Sequence, residues 1–123
     1  MTGWKAVRVS SCGSIWRGTV VPTLRFLYHT HNGSAVIPRG VWLEAKAKWV
    51  HNPGKKIAGR SYRAGFQYLK TRADVRAFDK LTKGKYSFIK VQVRQVWRKP
   101  TEGSKSMMAR FLFVPDHTKT EWY

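Results

Sequence analysis

Residues 65–97 read GFQYLKTRADVRAFDKLTKGKYSFIKVQVRQVW, and the order of elements in this stretch sets the fold class. Thr71 followed by Asp74 is a capping box, in which the hydroxyl accepts from an early helix amide and the carboxylate reaches back to the cap. Val75, Phe78 and Leu81 then recur at helical spacing, Lys80 and Lys83 suit the electronegative end, and Gly84 supplies a stop. This pattern predicts a helix over about 72–83. Before it, Gly65–Leu69 reads as a short strand. After it, Tyr86–Trp97 reads as a long one, with Ile89, Val91 and Val93 on one face and Lys90, Gln92 and Arg94 on the other.

Outward from this strand–helix–strand unit the signals are those of strands and turns. Trp4–Val9 alternates in the strand manner, and SSCGS at 10–14 reads as a turn before Ile15–Tyr28, which holds one or two strands. Pro22 marks a break or an edge position, since proline donates nothing to a ladder. Asn32-Gly33 favours a tight hairpin turn, with a short strand near Ala35–Ile37. In Val41–Val50, a strand places Val41, Leu43, Ala45, Ala47 and Trp49 on one face and Glu44, Lys46 and Lys48 on the other. Residues 51–63 read as a connecting loop, 98–106 as a turn, and Met107–Val114 as a final buried strand, after which a tail with two aromatics packs back. The expectation is an α+β protein: a curved mixed, mostly antiparallel sheet packed on one main helix (about 72–83), forming a single compact domain over 1–123.

Charge narrows the function. Lysine and arginine number 24 against six acids, a formal net charge of +18, yet 14% of the chain is aromatic and 42% hydrophobic. A basic disordered tail lacks such aromatic content, so the charge belongs to a folded protein and calls for a polyanionic partner. No acid occurs between Glu44 and Asp74, while Lys46, Lys48, Lys55, Lys56, Arg60, Arg63, Lys70 and Arg72 do. Cys12 is the only cysteine, which excludes an internal disulfide and a cysteine-based zinc cluster within one chain. The expected setting is intracellular, because no apolar run approaches the roughly 18 residues of a membrane span and MTGWKAVRVS lacks a signal-peptide core.

Phosphate affinity needs cations, and flat rings give bases a surface to stack on. Alternate strand positions make rows of cations at Lys46 and Lys48 and at Lys90 and Arg94. The stretch KKIAGRSYRAGF (55–66) surrounds Gly59 and Gly65 with Lys55, Lys56, Arg60 and Arg63; together with Gly54 these glycines suit an anion nest. Arg60-Ser61 stands where a phosphate loop needs Lys-Ser/Thr, and no helix follows directly, which excludes a nucleotide-hydrolysing loop. Arg72 and Arg76 flank the helix N-terminus, whose cap position Asp74 already fills. Tyr62 and Tyr68 are the candidate stacking rings. His29, His31, His51 and His117 keep neither a zinc signature nor the paired spacing of two-histidine phosphoesterases. The few carboxylates are scattered, against two-metal chemistry. No catalytic residue, metal or cofactor is assigned, and the balance is against an enzyme.

The run Tyr62-x-x-Gly65-Phe66-x-x-x-x-Thr71-x-x-Asp74, with its helix and the strand IKVQVRQVW, resembles a segment of small uncharacterised proteins of bacteriophages and mobile elements. Those proteins often read Y-x-x-G-F-H-x-F where this chain has Gln67 and Tyr68, and WKAVRV is similar too. The resemblance implies an accessory protein for host takeover or evasion of host defence, acting in the host cytoplasm. A similar strand–helix–strand unit occurs in compact ADP-ribosyltransferases, whose His-Gly-Thr entry motif is missing here. The leading expectation is a non-enzymatic protein that binds nucleic acid, directly or within a host nucleoprotein complex that it inhibits. The alternatives are a protein that binds or cleaves a nucleotide signal, and an adaptor for an acidic protein surface.

Overall fold

The computed structural model describes residues 1–16, 18–27, 36–45, 49–51, 61–63, 65–98 and 106–123, with backbone alone for 11–16, 19–20, 49–51 and 61–63. The elements are β1 (Thr2–Trp16), β2 (Thr19–Arg25), β3 (Trp42–Glu44), β4 (Trp49–His51), β5 (Ser61–Arg63), β6 (Phe66–Leu69), α1 (Arg72–Leu81), β7 (Ser87–Arg98) and β8 (Ser106–Phe113). The protein is mostly antiparallel sheet with one helix, and among the described residues every strand pair is antiparallel.

The pairing closes on itself. Thr2–Val7 of β1 lies along Ser87–Gln92 of β7, and Gln92–Arg98 of β7 along Met107–Phe113 of β8. Ser106–Ala109 of β8 then pairs with β6, whose Leu69 returns to Trp4 of β1. Inside this four-strand ring lie Val7, Tyr68, Ile89, Val91, Val93, Ala109, Leu112 and Val114. The helix covers a second, smaller cluster of Trp4, Leu69, Val75 and Phe88 on the outer face. The sheet packs on the helix at this cluster, as expected, but it also wraps on itself, and the helix is the minor element. The physical reason is size: Val75 is the helix's buried residue, with Phe78 partly buried beside the cluster, too narrow an apolar stripe to organise a whole sheet.

The capping box is present, with Asp74 N donating to Thr71 Oγ1 at 3.1 Å and Thr71 N to Asp74 Oδ2 at 3.3 Å. The helix ends at Leu81, where Thr82 Oγ1 donates to the Phe78 carbonyl at 2.9 Å. Lys83 therefore lies past the last turn, at φ 55°, followed by Gly84 at φ 69°.

The SSCGS segment is strand, not turn. Between the pairs Ser10–Thr23 and Ser14–Val21, β1 carries three residues where β2 carries only Pro22. The small residues are absorbed as a bulge opposite the one residue that has no amide to offer. The turn comes later, between Trp16 and Thr19, where Gly18 takes φ 78°. Pro22 does sit on an edge strand, as β2 ends the sheet. The strand read over Val41–Val50 divides: β3 pairs with β8, whereas β4 pairs with β5 in a separate two-stranded sheet. The ends of the expected 51–63 loop are thus paired strand. Val36 forms a bridge to Arg25. The Asn32-Gly33 turn, 46–48, 52–60 and 99–105 lie outside the described residues. The tail packs back as expected, with Trp122 bridging Ile89 and Tyr123 N donating to the Phe88 carbonyl at 3.0 Å. No helix among the described residues is long and apolar enough to cross a membrane.

One irregularity positions the site. On β7 the core-facing residues are Val91, Val93 and then Val96; on β8 they are Met107, Ala109 and then Leu112, followed by Val114 just past its end. Both strands skip a step at the same level, yet their register is unchanged from Gln92–Phe113 to Arg98–Met107. Gln95 takes φ 53° at this corner, and Arg110 Nη1 donates to Gln95 Oε1 at 3.3 Å. Two consecutive residues on each strand, Arg94-Gln95 and Arg110-Phe111, are thereby left outside the core. A left-handed backbone suits glycine and penalises β-branched residues. Gln95→Gly is expected to leave stability within about 0.5 kcal/mol of wild type and Gln95→Val to lose about 1–2 kcal/mol, compared by denaturant unfolding at neutral pH.

Candidate nucleic-acid interface

Among the described residues, the outer face of the ring is covered by an element at one end and by none at the other. Trp4 and Phe88 lie on it under α1, and the same face of β7 continues as Lys90, Gln92 and Arg94, in step with the strand's two-residue alternation. Across the sheet, Gln92 pairs with Phe113 and Phe113 with Trp42, while Arg94 pairs with Phe111 and Phe111 with Glu44. Trp42, at 37% exposure, and the half-buried Phe111 and Phe113 form an aromatic patch at the open end. Trp42 and Phe113 stand 5.4 Å apart between ring centroids, tilted by 43°. The Arg94 guanidinium lies 4.2 Å from the Trp42 centroid, a close cation–π stack. Arg110 donates from Nε (3.1 Å) and Nη2 (2.8 Å) to Glu44 Oε1 at the margin of the patch, and its guanidinium lies 5.2 Å from the Phe111 ring.

A second cationic feature runs along α1. Arg72, Arg76 and Lys80 recur every four residues, which places them about 6 Å apart on one helix face. Arg72 lies over Trp4 (5.2 Å) and Tyr123 (5.7 Å), and Trp4 meets Tyr123 edge-on at 5.8 Å. Between stripe and patch, a groove of about 190 Å³ is lined by Thr2, Lys90, Gln92, Pro115, Lys119 and Glu121. Lys90 pairs with Glu121 at 3.3 Å there. On the other side of the ring Arg8 stands opposite Arg25 across β1 and β2, and Arg8 lies over the Tyr86 ring. Like charges facing each other across strands repel.

Of the five described carboxylate side chains, all but that of Asp79 are occupied by structural tasks. Glu44 takes Arg110, Glu121 takes Lys90, and Asp74 caps the helix. Asp116 accepts from the hydroxyl and amide of Thr118, which hold its carboxyl below the usual range. Among the described residues, Lys70, Arg76, Lys80 and Arg94 have no carboxylate partner, and all are exposed.

Of the residues expected from sequence, Lys90, Arg94, Arg72 and Arg76 lie on the two features just described, and Lys70 is exposed ahead of the helix. Lys46, Lys48, Lys55, Lys56 and Arg60 lie outside the described residues, as do His29 and His31. Tyr62 and Arg63 are placed only as backbone partners of Val50 and Trp49, and His51 as the partner of Ser61. Tyr68 is corrected: at 3% exposure it belongs to the core, with its ring against Gly3, and burial raises its phenol pKa. It has no face to offer a base. Gly65 is also not part of an open nest, since a Cβ there would meet the Ala109 carbonyl and the Trp97 ring at 2.8 Å. Its lack of a side chain serves close packing. Among the described residues no three His, Cys, Asp or Glu side chains cluster as a metal site.

Phe111, Phe113 and Arg110 were not singled out from sequence, because MMARFLFV reads as wholly buried, with the arginine inside that apolar run as the available signal; nor was Trp42, which lies in the stretch 41–50. Lys5 is the other unexpected residue. It is 7% exposed, its Nζ donates to the Gln67 carbonyl at 2.6 Å, and it lies 5.5 Å from the Phe26 centroid. Beside it is a cavity of about 20 Å³, roughly room for one water. β1 and β6 pair only at Trp4–Leu69, so the lysine extends that seam by one bond where the strands have parted.

Burial lowers the Lys5 pKa from 10.5 to about 8. The folded state sheds this proton first, so between pH 8 and 10.5 the unfolded chain binds more protons and stability rises with pH. Across that window wild type is expected to gain up to about 3 kcal/mol relative to Lys5→Met, in which the difference disappears; parallel urea melts at pH 7, 9 and 10.5 measure it. No protein-family model, characterised protein or solved structure matches the chain.

Proposed function

We propose that the protein is a non-enzymatic nucleic-acid-binding protein that holds the phosphate backbone with exposed lysines and arginines and adds aromatic stacking. One observation carries this reading. The described carboxylates are largely committed to capping and pairing, while exposed cations on the helix and on β7 have no carboxylate partner among the described residues. Holding that much like charge on a small fold opposes folding by self-repulsion, and a polyanion relieves it. Alternation of the cations with rings also fits nucleic acid better than a purely acidic protein surface.

The nucleotide-signal reading is less well supported. The groove beside Lys90 and Lys119, about 190 Å³, falls below the roughly 300–1,000 Å³ of ordinary ligand pockets, and of the two candidate stacking rings, Tyr62 and Tyr68, the latter is buried. The likeness of residues 62–74 to phage and mobile-element proteins supports the further proposal that the bound nucleic acid belongs to a host nucleoprotein complex, which the protein inhibits.

Each backbone contact releases counterions, so log K falls with log salt at about 0.7–0.9 per phosphate contacted. Affinity for a 20-nucleotide strand is expected to drop about 10³-fold between 50 and 200 mM salt. Arg76→Gln with Lys80→Gln is expected to lower the slope by about 1.5. Fluorescence-anisotropy titrations at several salt concentrations measure both, and a salt-independent affinity overturns the reading.

A further inference from the structure

We propose that the open outer face of β3, β8 and β7 is a platform for single-stranded nucleic acid, with bases stacking on Trp42, Phe113 and the guanidinium plane of Arg94. The proposal rests on the nucleic-acid reading above and names which form of nucleic acid this face takes. Three features of the face support it. Its aromatics share one side of an open sheet, because Trp42, Phe113 and Gln92 form one cross-strand row and Glu44, Phe111 and Arg94 the next on that side. The rings are not sealed into the core: Trp42 is 37% exposed and Phe111 and Phe113 are half-buried, whereas Leu43 and Leu112 in the row between them pack against the interior. The charge at the patch matches an anion, since Arg94 is exposed and bears on Trp42, while Arg110 neutralises the one carboxylate at the margin, Glu44.

A duplex keeps its bases stacked on each other and shows a protein only their edges and its phosphates, so it cannot use flat rings on a sheet. An unpaired strand can splay its bases onto aromatic rings and onto an arginine plane. The geometry of β7 also suits a strand lying along it. Lys90 and Arg94 stand four residues apart on one face, about 13 Å, with Gln92 between them at the row of Trp42 and Phe113. Phosphates run past Lys90, Lys119 and Arg94 while bases turn toward the rings.

The test compares wild type, Trp42→Ala, Trp42→Phe and Arg94→Lys on four probes, each at several salt concentrations: 12-nucleotide oligo-dT and oligo-U, a 12-base-pair duplex, and heparin. Thermal melts confirm that each variant folds. Wild type is expected to prefer the single strands to the duplex. Trp42→Ala is expected to weaken single-strand binding about ten-fold with duplex and heparin binding unchanged, and Trp42→Phe to recover most of the loss. Arg94→Lys, which keeps the charge and removes the plane, is expected to weaken single-strand binding while leaving the salt slope as it was. If wild type binds duplex and heparin as well as single strands, or if these variants change all probes equally, the platform is overturned and general polyanion binding stands. If wild type binds none of the four, nucleic-acid binding itself fails.

Discussion

Two hydrogen-bonded strands can change which side chains they bury only if both change at the same level, and β7 and β8 do so at Gln95 and Arg110. Had β7 alone slipped by one residue, the register would have broken and one strand would have turned its core residues to solvent. Instead Val93 gives way to Val96 on one strand and Ala109 to Leu112 on the other, with the ladder intact on both sides. The corner divides β8 into two working lengths. Ser106–Ala109 carries β6 and closes the ring, and Phe111–Phe113 carries β3 beyond it. The arrangement that makes the ring therefore also leaves Arg94, Gln95, Arg110 and Phe111 outside the core, beside Trp42 and Phe113.

Charge follows the same division of labour. Carboxylates are spent where the fold needs them, at the helix start, the tail and the margin of the aromatic patch. Cations stay on helix and strand faces, where like-charge pairs such as Arg8 and Arg25 are retained. Their mutual repulsion opposes folding, and it is offset on the Arg8 side by its contact with the Tyr86 ring.

Much of this arrangement was legible in the sequence where a signal was local. The Thr71–Asp74 cap, the alternation of Ile89, Val91 and Val93, and the edge position of Pro22 each depend on a few neighbouring residues, and each appears as read. The readings that failed concern partners distant along the chain. Ser10–Ser14 has turn composition, but β2 lies alongside and absorbs it as a bulge. Tyr68 looked available because it lies in a cationic stretch, yet β6 turns it into the ring. MMARFLFV looked buried throughout, since its one arginine marks an interruption without showing that the inward phase shifts there. The spacings V-x-V-x-x-V and M-x-A-x-x-L-x-V do carry that shift, and they become informative only when the two strands are set side by side.

The seam between β1 and β6 gives the ring a preferred place to part. Separating β7 from β8 means undoing a ladder that runs from Gln92–Phe113 to Arg98–Met107. Separating β1 from β6 undoes one backbone bridge, Trp4–Leu69, and the Lys5 bond to the Gln67 carbonyl, along with the packing of Trp4 on Leu69 and of Tyr68 on Gly3. Local opening takes the route that exposes least and breaks fewest bonds. By that measure the backbone ladder of the ring is thinnest between β1 and β6 and longest at the β7–β8 corner that carries the aromatic patch. The ring is thus a clasp whose aromatic patch sits on its most continuously hydrogen-bonded arm.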